Sequence, residues 1–265
     1  MSELAGYADS DGVSVYYEVH GAGPGLLLVH GSGGQHAAWW QQVAALSGEY
    51  TVVTMDLRGF GNTRWPGEHD ARAFPGDISA VLDTVALGGG PARCVLAGQS
   101  IGAAAALRAA LLRPDRVRGV ILAHSLGGLR DPELTELVRA DRARAEQLPV
   151  LDRLLTPAFR AERPDLAFLF RQMGTFNTAK MADLRNLNSD GPTVAELTAA
   201  PFPVLLLGGE KDGVLSPSTM RRAGELLPGA RVEIVPGAPH SMYWETPALF
   251  NDAVRRFLKE VAATA

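Results

Sequence analysis

With 265 residues, 46% of them hydrophobic and 20% charged, the chain carries enough apolar material for one large folded core, which excludes the disordered and fibrous classes. A net charge of -4 leaves no cationic footprint for nucleic acid, and the single cysteine, Cys94, excludes an intramolecular disulfide and reads as a small buried hydrophobe. The start Met1-Ser2-Glu3-Leu4 lacks a basic or apolar leader region, and Arg108 interrupts the longest apolar run, so a cytoplasmic protein with no membrane partner is expected.

In chain order, residues 13–19 alternate like a half-buried strand, and 26–29 form a continuous apolar run ending at His30-Gly31, as a strand buried on both faces does. A helix over 37–46, a strand over 51–55 and a helix over 78–87 follow. The strand at 93–97 then feeds directly into Gly98-Gln99-Ser100-Ile101-Gly102, and an alanine-rich helix leaves it. Buried strands are predicted at 117–123 and 204–207, and a last strand at 232–235 precedes a helix from Pro247 onward. This alternation predicts an α/β fold: a mostly parallel sheet with helices on both faces. One stretch breaks the rhythm, being helical and arginine-rich and divided by Pro132, Pro149, Pro157, Pro164 and Pro192. It is expected to form a helical lid over 126–200, inserted between two late strands, with the core made of 1–125 and 201–265.

A serine on a sharp strand-to-helix turn is a candidate nucleophile, since flanking glycines clear space and the helix N-terminus points at the reacting centre. A hydroxyl is a weak nucleophile at neutral pH, so Ser100 needs a base and a group that orients it. His240 is the favoured base because it follows the last predicted strand in the turn-rich Pro236-Gly237-Ala238-Pro239-His240-Ser241. His30 and His124 also stand at strand ends, while His20, His36 and His69 have no motif around them. Asp212, in Gly208-Gly209-Glu210-Lys211-Asp212-Gly213 after the 204–207 strand, is the favoured orienting carboxylate, with Glu210 and Asp131 as rivals. The loop His30-Gly31-Ser32-Gly33-Gly34 lets the main chain approach a ligand, so the amides of Ser32 and Ile101 are expected to hold an oxyanion.

Together with Asp56-Leu57-Arg58-Gly59-Phe60-Gly61, these motifs span nearly the whole chain, which resembles the α/β-hydrolases. The resemblance implies a mostly parallel sheet, a cap between two late strands, and a Ser100, His240, Asp212 triad that works without a cofactor. Pro239 before the histidine and Ala103 after the elbow depart from the more usual glycines, and both are small or turn-compatible. A serine at the elbow argues against dehalogenase and epoxide hydrolase relatives, which need a carboxylate there, and against dienelactone hydrolases, which need a cysteine. Arg64 stands where a dinucleotide loop after Gly59-Phe60-Gly61 needs its third glycine, and neither H-E-x-x-H nor paired cysteines are present, so no metal is expected.

The expected function is hydrolysis of an ester, lactone or related small-molecule carbonyl substrate through an acyl-enzyme on Ser100. Two alternatives stay open: a carbon–carbon bond hydrolase in which lid residue Arg171 holds a substrate carboxylate, and a receptor or signalling protein that keeps the triad with little turnover. Trp39, Trp40, Phe168, Phe170, Met173 and Phe176, with Met242 behind the histidine, are candidates for an apolar substrate pocket. A monomer or homodimer is expected.

Overall fold

The computed structural model describes residues 3–263 except 88, 89 and 92. Its main sheet has eight strands: β1 (Glu3–Ser10), β2 (Val13–His20), β3 (Gly25–Val29), β4 (Thr51–Met55), β5 (Cys94–Gln99), β6 (Val117–Ala123), β7 (Val204–Lys211) and β8 (Arg231–Pro239). Their spatial order is β1-β2-β4-β3-β5-β6-β7-β8. Every neighbouring pair from β4 to β8 is parallel, and only the pairings of β2 with β1 and β4 are antiparallel.

Unbroken apolar runs form the central strands because both faces of the sheet are covered. Leu27, Val29, Leu96, Val120, Leu122 and Leu206 enter one core, shared with α2 (Phe74–Thr84), α3 (Ile101–Leu112) and α9 (Pro217–Leu226). Their neighbours Leu26, Leu28, Val95, Ala97, Ile121, Leu205 and Leu207 enter the opposite core, shared with α1 (Trp40–Leu46), α10 (Met242–Glu245) and α11 (Pro247–Ala263). Burying each leucine contributes about 1.5–3 kcal/mol, so this two-sided alternation is the main source of cohesion. Helix α3 is buried on all sides from Ile101 to Ala110, and its alanine methyls let it lie close against both the sheet and α2.

The structure corrects several boundaries. Strand β1 has no counterpart among the predicted elements, because Leu4 and Tyr7 are 60% and 57% exposed and its sequence shows no clean alternation. Its signal lies in the turn that follows: Asp11 and Gly12 both have positive φ, the conformation an Asp-Gly hairpin favours. The 37–46 helix is a 3-10 turn at His36–Trp39 leading into α1, and the 78–87 helix starts earlier, with Pro75 in its first turn, and ends at Thr84. The last strand runs on past 235 to Pro239 through an irregularity in its pairing with β7, so His240 follows a strand directly.

Between β6 and β7 the chain is helical: α4 (Pro132–Glu146), α5 (Val150–Leu154), α6 (Pro157–Glu162), α7 (Pro164–Met173) and α8 (Val194–Thr198). Prolines start α4, α6 and α7, where the missing N–H costs no helical hydrogen bond. Among the described residues no helix is long and apolar enough to cross a membrane.

One polar cluster ties the early strands together. The fully buried carboxylate of Asp56 accepts from His36 Nδ1 at 2.9 Å and from the Asn62 N–H at 2.7 Å, while His36 Nε2 lies 3.4 Å from Glu18. Burial alone disfavours the His36 imidazolium, but its hydrogen bond to Asp56 and the charges of Asp56 and Glu18 outweigh that and raise its pKa. Because the folded value lies above the free imidazole value of about 6.5, this stabilisation is fully present below about pH 6.5 and is lost as pH rises through the folded value. The urea midpoint of the wild type should therefore exceed that of His36→Gln by more at about pH 6 than at about pH 9. An equal gap at both would show that His36 is not held charged.

Candidate active site

Ser100 sits between β5 and α3 with φ 53° and ψ -115°, a conformation an L-residue holds only when its surroundings impose it. Such strain costs on the order of 1–3 kcal/mol. The surroundings here are backbone on both sides. A Cβ on Gly98 would lie 2.3 Å from the Gly102 carbonyl oxygen, and one on Gly102 would lie 2.4 Å from the Val29 oxygen and 2.5 Å from that of His30. The glycines of the pentapeptide are thus required by close approach of β5, α3 and the end of β3. The Ser100 N–H donates to the Ala123 carbonyl at 2.9 Å, fastening the turn to β6. Ile101 begins α3, so its N–H has no carbonyl one turn earlier to bond.

Asp212, one residue past β7, is buried with its side chain 1% exposed. Its Oδ1 accepts from the N–H groups of Val214 (2.8 Å) and Leu215 (3.0 Å) and from His240 Nδ1 (2.9 Å). Its Oδ2 accepts from His124 Nδ1 at 2.9 Å and lies 3.0 Å from His240 Nδ1. Burial works against this charge, yet the two imidazoles and their hydrogen bonds overcome it and hold the carboxyl well below the usual carboxylate range. The β8 end can reach it because Gly209 has no side chain: a Cβ there would lie 2.2 Å from the Ala238 carbonyl oxygen. His240 is buried, and its own carbonyl accepts from Gln99 Nε2 at 3.3 Å, linking it to the residue before Ser100.

The rival carboxylates have other roles. Asp131 caps α4 by accepting from the Leu134 N–H, and Glu210 accepts from the Gly237 N–H at 2.8 Å. His30 is buried and neutral, burial lowering its pKa: its Nε2 accepts from the Leu57 N–H at 3.1 Å, which leaves Nδ1 as the donor to the Gly31 carbonyl at 2.8 Å. It therefore braces the glycine loop. His124 is the residue whose importance the sequence hides. Its position at a strand end is visible, but its contact with Asp212 depends on β6 and β7 being sheet neighbours, which brings together two side chains 88 positions apart in the chain.

Ser100, Ile101 and His124 line a cavity of about 450 Å³ whose walls include Leu126, Leu129, Leu134, Val138 and Leu215, with Arg130, Arg139 and Arg142 also contributing. Ser32 lies in a neighbouring cavity of about 520 Å³ with Gly33, Arg171 and Gly174, and Met181 borders both spaces. The expected pocket residues are placed elsewhere. Trp39 is 1% exposed, packed against Tyr243 and Phe250 with ring centroids 4.8 and 5.8 Å apart, and Met242 is fully buried in the same core. Phe170 packs edge-on against Trp244 at 5.4 Å, and Met173 joins that cluster from its half-buried position. Arg171 lines the neighbouring cavity and lies over the Phe168 ring at 5.8 Å. None of Trp39, Phe170, Arg171, Met173 and Met242 lines the space beside Ser100. The reason is the choice of helix: α7 turns its apolar side toward Trp244, and α4 supplies Leu134 and Val138 to the wall beside Ser100.

A family model described as the alpha/beta hydrolase family matches residues 26–253. The chain is 26% identical over 254 residues to a 2-(acetamidomethylene)succinate hydrolase of Mesorhizobium japonicum, covering 90% of this chain and 89% of that one. It is 27% identical over 261 residues to a pimeloyl-[acyl-carrier protein] methyl ester esterase of Aeromonas hydrophila, covering 93% of this chain and all of the relative. Among solved structures, a malate-bound thermophilic esterase from Thermogutta terrifontis superposes with a TM-score of 0.80 at 26% identity, covering 98% of this chain and 99% of that one.

Proposed function

The chain belongs to the alpha/beta hydrolase family and is a hydrolase, and from that premise we propose that it cleaves a small ester or lactone through an acyl-enzyme on Ser100. The observation that carries this reading is the strained Ser100 turn, opening into an apolar cavity at the start of α3. Its companion is the buried Asp212–His240 pair, in which the carboxylate accepts from Nδ1 and so leaves Nε2 as the basic nitrogen.

In the first half-reaction Ser100 Oγ attacks the carbonyl carbon while His240 Nε2 takes the hydroxyl proton. The oxyanion is held by the N–H of Ile101 and that of Ser32, and losing one such donor typically costs about 3 kcal/mol of transition-state stabilisation. Collapse breaks the bond to the leaving oxygen, which receives the proton from His240. Water then attacks the acyl-enzyme, gives its proton to His240, and the acid departs as Ser100 regains its own. Asp212 stays ionised throughout and stabilises the imidazolium. The segment 126–200 acts as a lid, with α4 forming the acyl wall. Arg171, the residue that would hold a substrate carboxylate in carbon–carbon cleavage, lines the same cavity as Ser32, so product analysis with a diketone acid is what separates that reading from ester or lactone cleavage.

A fluorophosphonate probe tests the reading. Peptide mapping after labelling should find one modified residue, Ser100, with labelling and ester turnover lost in parallel. Full labelling at another residue, or undiminished turnover after Ser100 is blocked, would overturn it.

A further inference from the structure

Apart from Ser100, Asp212 and His240, the wall of the Ser100 cavity includes His124, which carries a buried polar atom without a hydrogen-bond partner among the described residues. We propose that His124 is a specificity-determining residue whose Nε2 accepts a hydrogen bond from a hydroxyl or amide N–H carried by the substrate near its scissile carbonyl. The inference rests on the reading of Ser100 as the attacking group.

Geometry fixes which atom is free. The His124 side chain is fully buried, and its Nδ1 lies 2.9 Å from Asp212 Oδ2. An ionised carboxylate can only accept, so Nδ1 carries the proton. In a neutral ring Nε2 then holds a bare lone pair. Burial favours that neutral form, lowering the His124 pKa despite the nearby carboxylate. Among the described residues Nε2 has no hydrogen-bond partner.

The ring is also immobilised. Its backbone adopts φ 56°, the His124 N–H donates to the Leu207 carbonyl at 2.7 Å, and the ring packs edge-on against His240 at 5.4 Å. His124 and Ser100 line the same cavity, beside the apolar walls of Leu126 and Leu215. A buried acceptor in such a wall is costly when unmet and selective when met, because only a substrate with a donor in reach restores the lost hydrogen bond. The oxyanion amides only donate and the leucine and valine side chains of the wall carry no acceptor, while Ser125, Thr135 and Asn188, which also line the cavity, can turn their polar groups; the His124 lone pair is fixed in direction.

The test uses matched acyl esters that differ only by a hydroxyl, or by an acetamido group, at the second or third acyl carbon. For at least one pair, the kcat/KM ratio of donor-bearing to plain ester should be about tenfold or more higher in the wild type than in His124→Phe, which keeps a planar aromatic ring and removes the acceptor. Comparing ratios cancels the intrinsic reactivity of each ester and any general loss from disturbing Asp212. His124→Asn, which retains a donor for Asp212 and shortens the side chain, should also lose the preference, and it serves where the phenylalanine variant does not fold. Equal ratios in wild type and variants across the whole series would overturn the proposal. Nitrogen-15 spectra of the histidine side chains give a second test that needs no turnover: His124 should show the Nδ1–H tautomer with an unprotonated Nε2, and an Nε2–H tautomer would sink the idea. Failure of the Ser100 reading registers separately, as turnover that survives Ser100→Ala.

Discussion

Replacing Ser100 with alanine lowers kcat for a responsive ester by about a million-fold, the scale seen when the nucleophile of a hydrolytic triad is removed. This corresponds to about 8 kcal/mol of barrier. The other hydroxyls on the cavity wall do not sit on the strand-to-helix turn: Ser125 follows β6, and Thr135 lies within α4 with its hydroxyl donating to the Asp131 carbonyl. The same position carries a stability prediction of opposite sign. Ser100 is held at φ 53° and ψ -115°, a region glycine enters freely and residues with a Cβ do not. Relief of about 1–3 kcal/mol of strain, set against glycine's extra unfolded-state freedom of about 0.4–1 kcal/mol, should make Ser100→Gly about 1 kcal/mol more stable than Ser100→Ala. Both variants should be inactive. Urea unfolding of the pair, with ester assays, checks this: an alanine variant as stable as the glycine variant would mean that the turn is not strained.

Asp212→Asn should reduce kcat by about ten-thousand-fold while leaving substrate binding largely intact. The carboxylate takes donations from two imidazole Nδ1 atoms and two backbone N–H groups, so its acceptor sites are saturated. An amide replaces one acceptor oxygen with a donor nitrogen, and one imidazole must then turn or change tautomer. If that imidazole is His240, its Nε2 becomes N–H and no longer serves as a base. Stability should respond as well. The folded Asp212 carboxyl titrates below the ordinary carboxylate value of about 3.9, so its contribution is fully present above that pH and is lost as pH falls through the folded value. The stability gap between wild type and Asp212→Asn should therefore narrow from pH near 7 to pH near 3. A kcat within about tenfold of wild type would show that Asp212 does not orient the base.

Which parts of the fold are legible in the sequence follows from how local each signal is. The strands at 26–29, 51–55, 117–123 and 204–207 can be read because burial on both faces demands an uninterrupted apolar run. Strand β1 escapes such reading because it lies at the sheet edge, where Leu4 and Tyr7 face outward and composition is weakly constrained. Where the candidate pocket residues lie is illegible for a related reason. Trp39, Met242 and Phe170 are apolar residues, two of them close in sequence to site motifs, and nothing local distinguishes an aromatic that lines a cavity from one that fills a core.

The amino-acid order alone therefore determined the α/β alternation, the Ser100 turn with its two glycines, and the candidacy of Asp212 and His240, since each is written in short-range periodicity or in a few adjacent residues. Tertiary structure decided which helix covers the cavity, that Trp39 and Met242 belong to the interior, and that His124 shares the Asp212 carboxylate with His240. Those outcomes depend on strands far apart in the chain becoming neighbours, and on which helix face gains more by being buried. A sequence window contains neither the distances nor the competing surfaces that settle them.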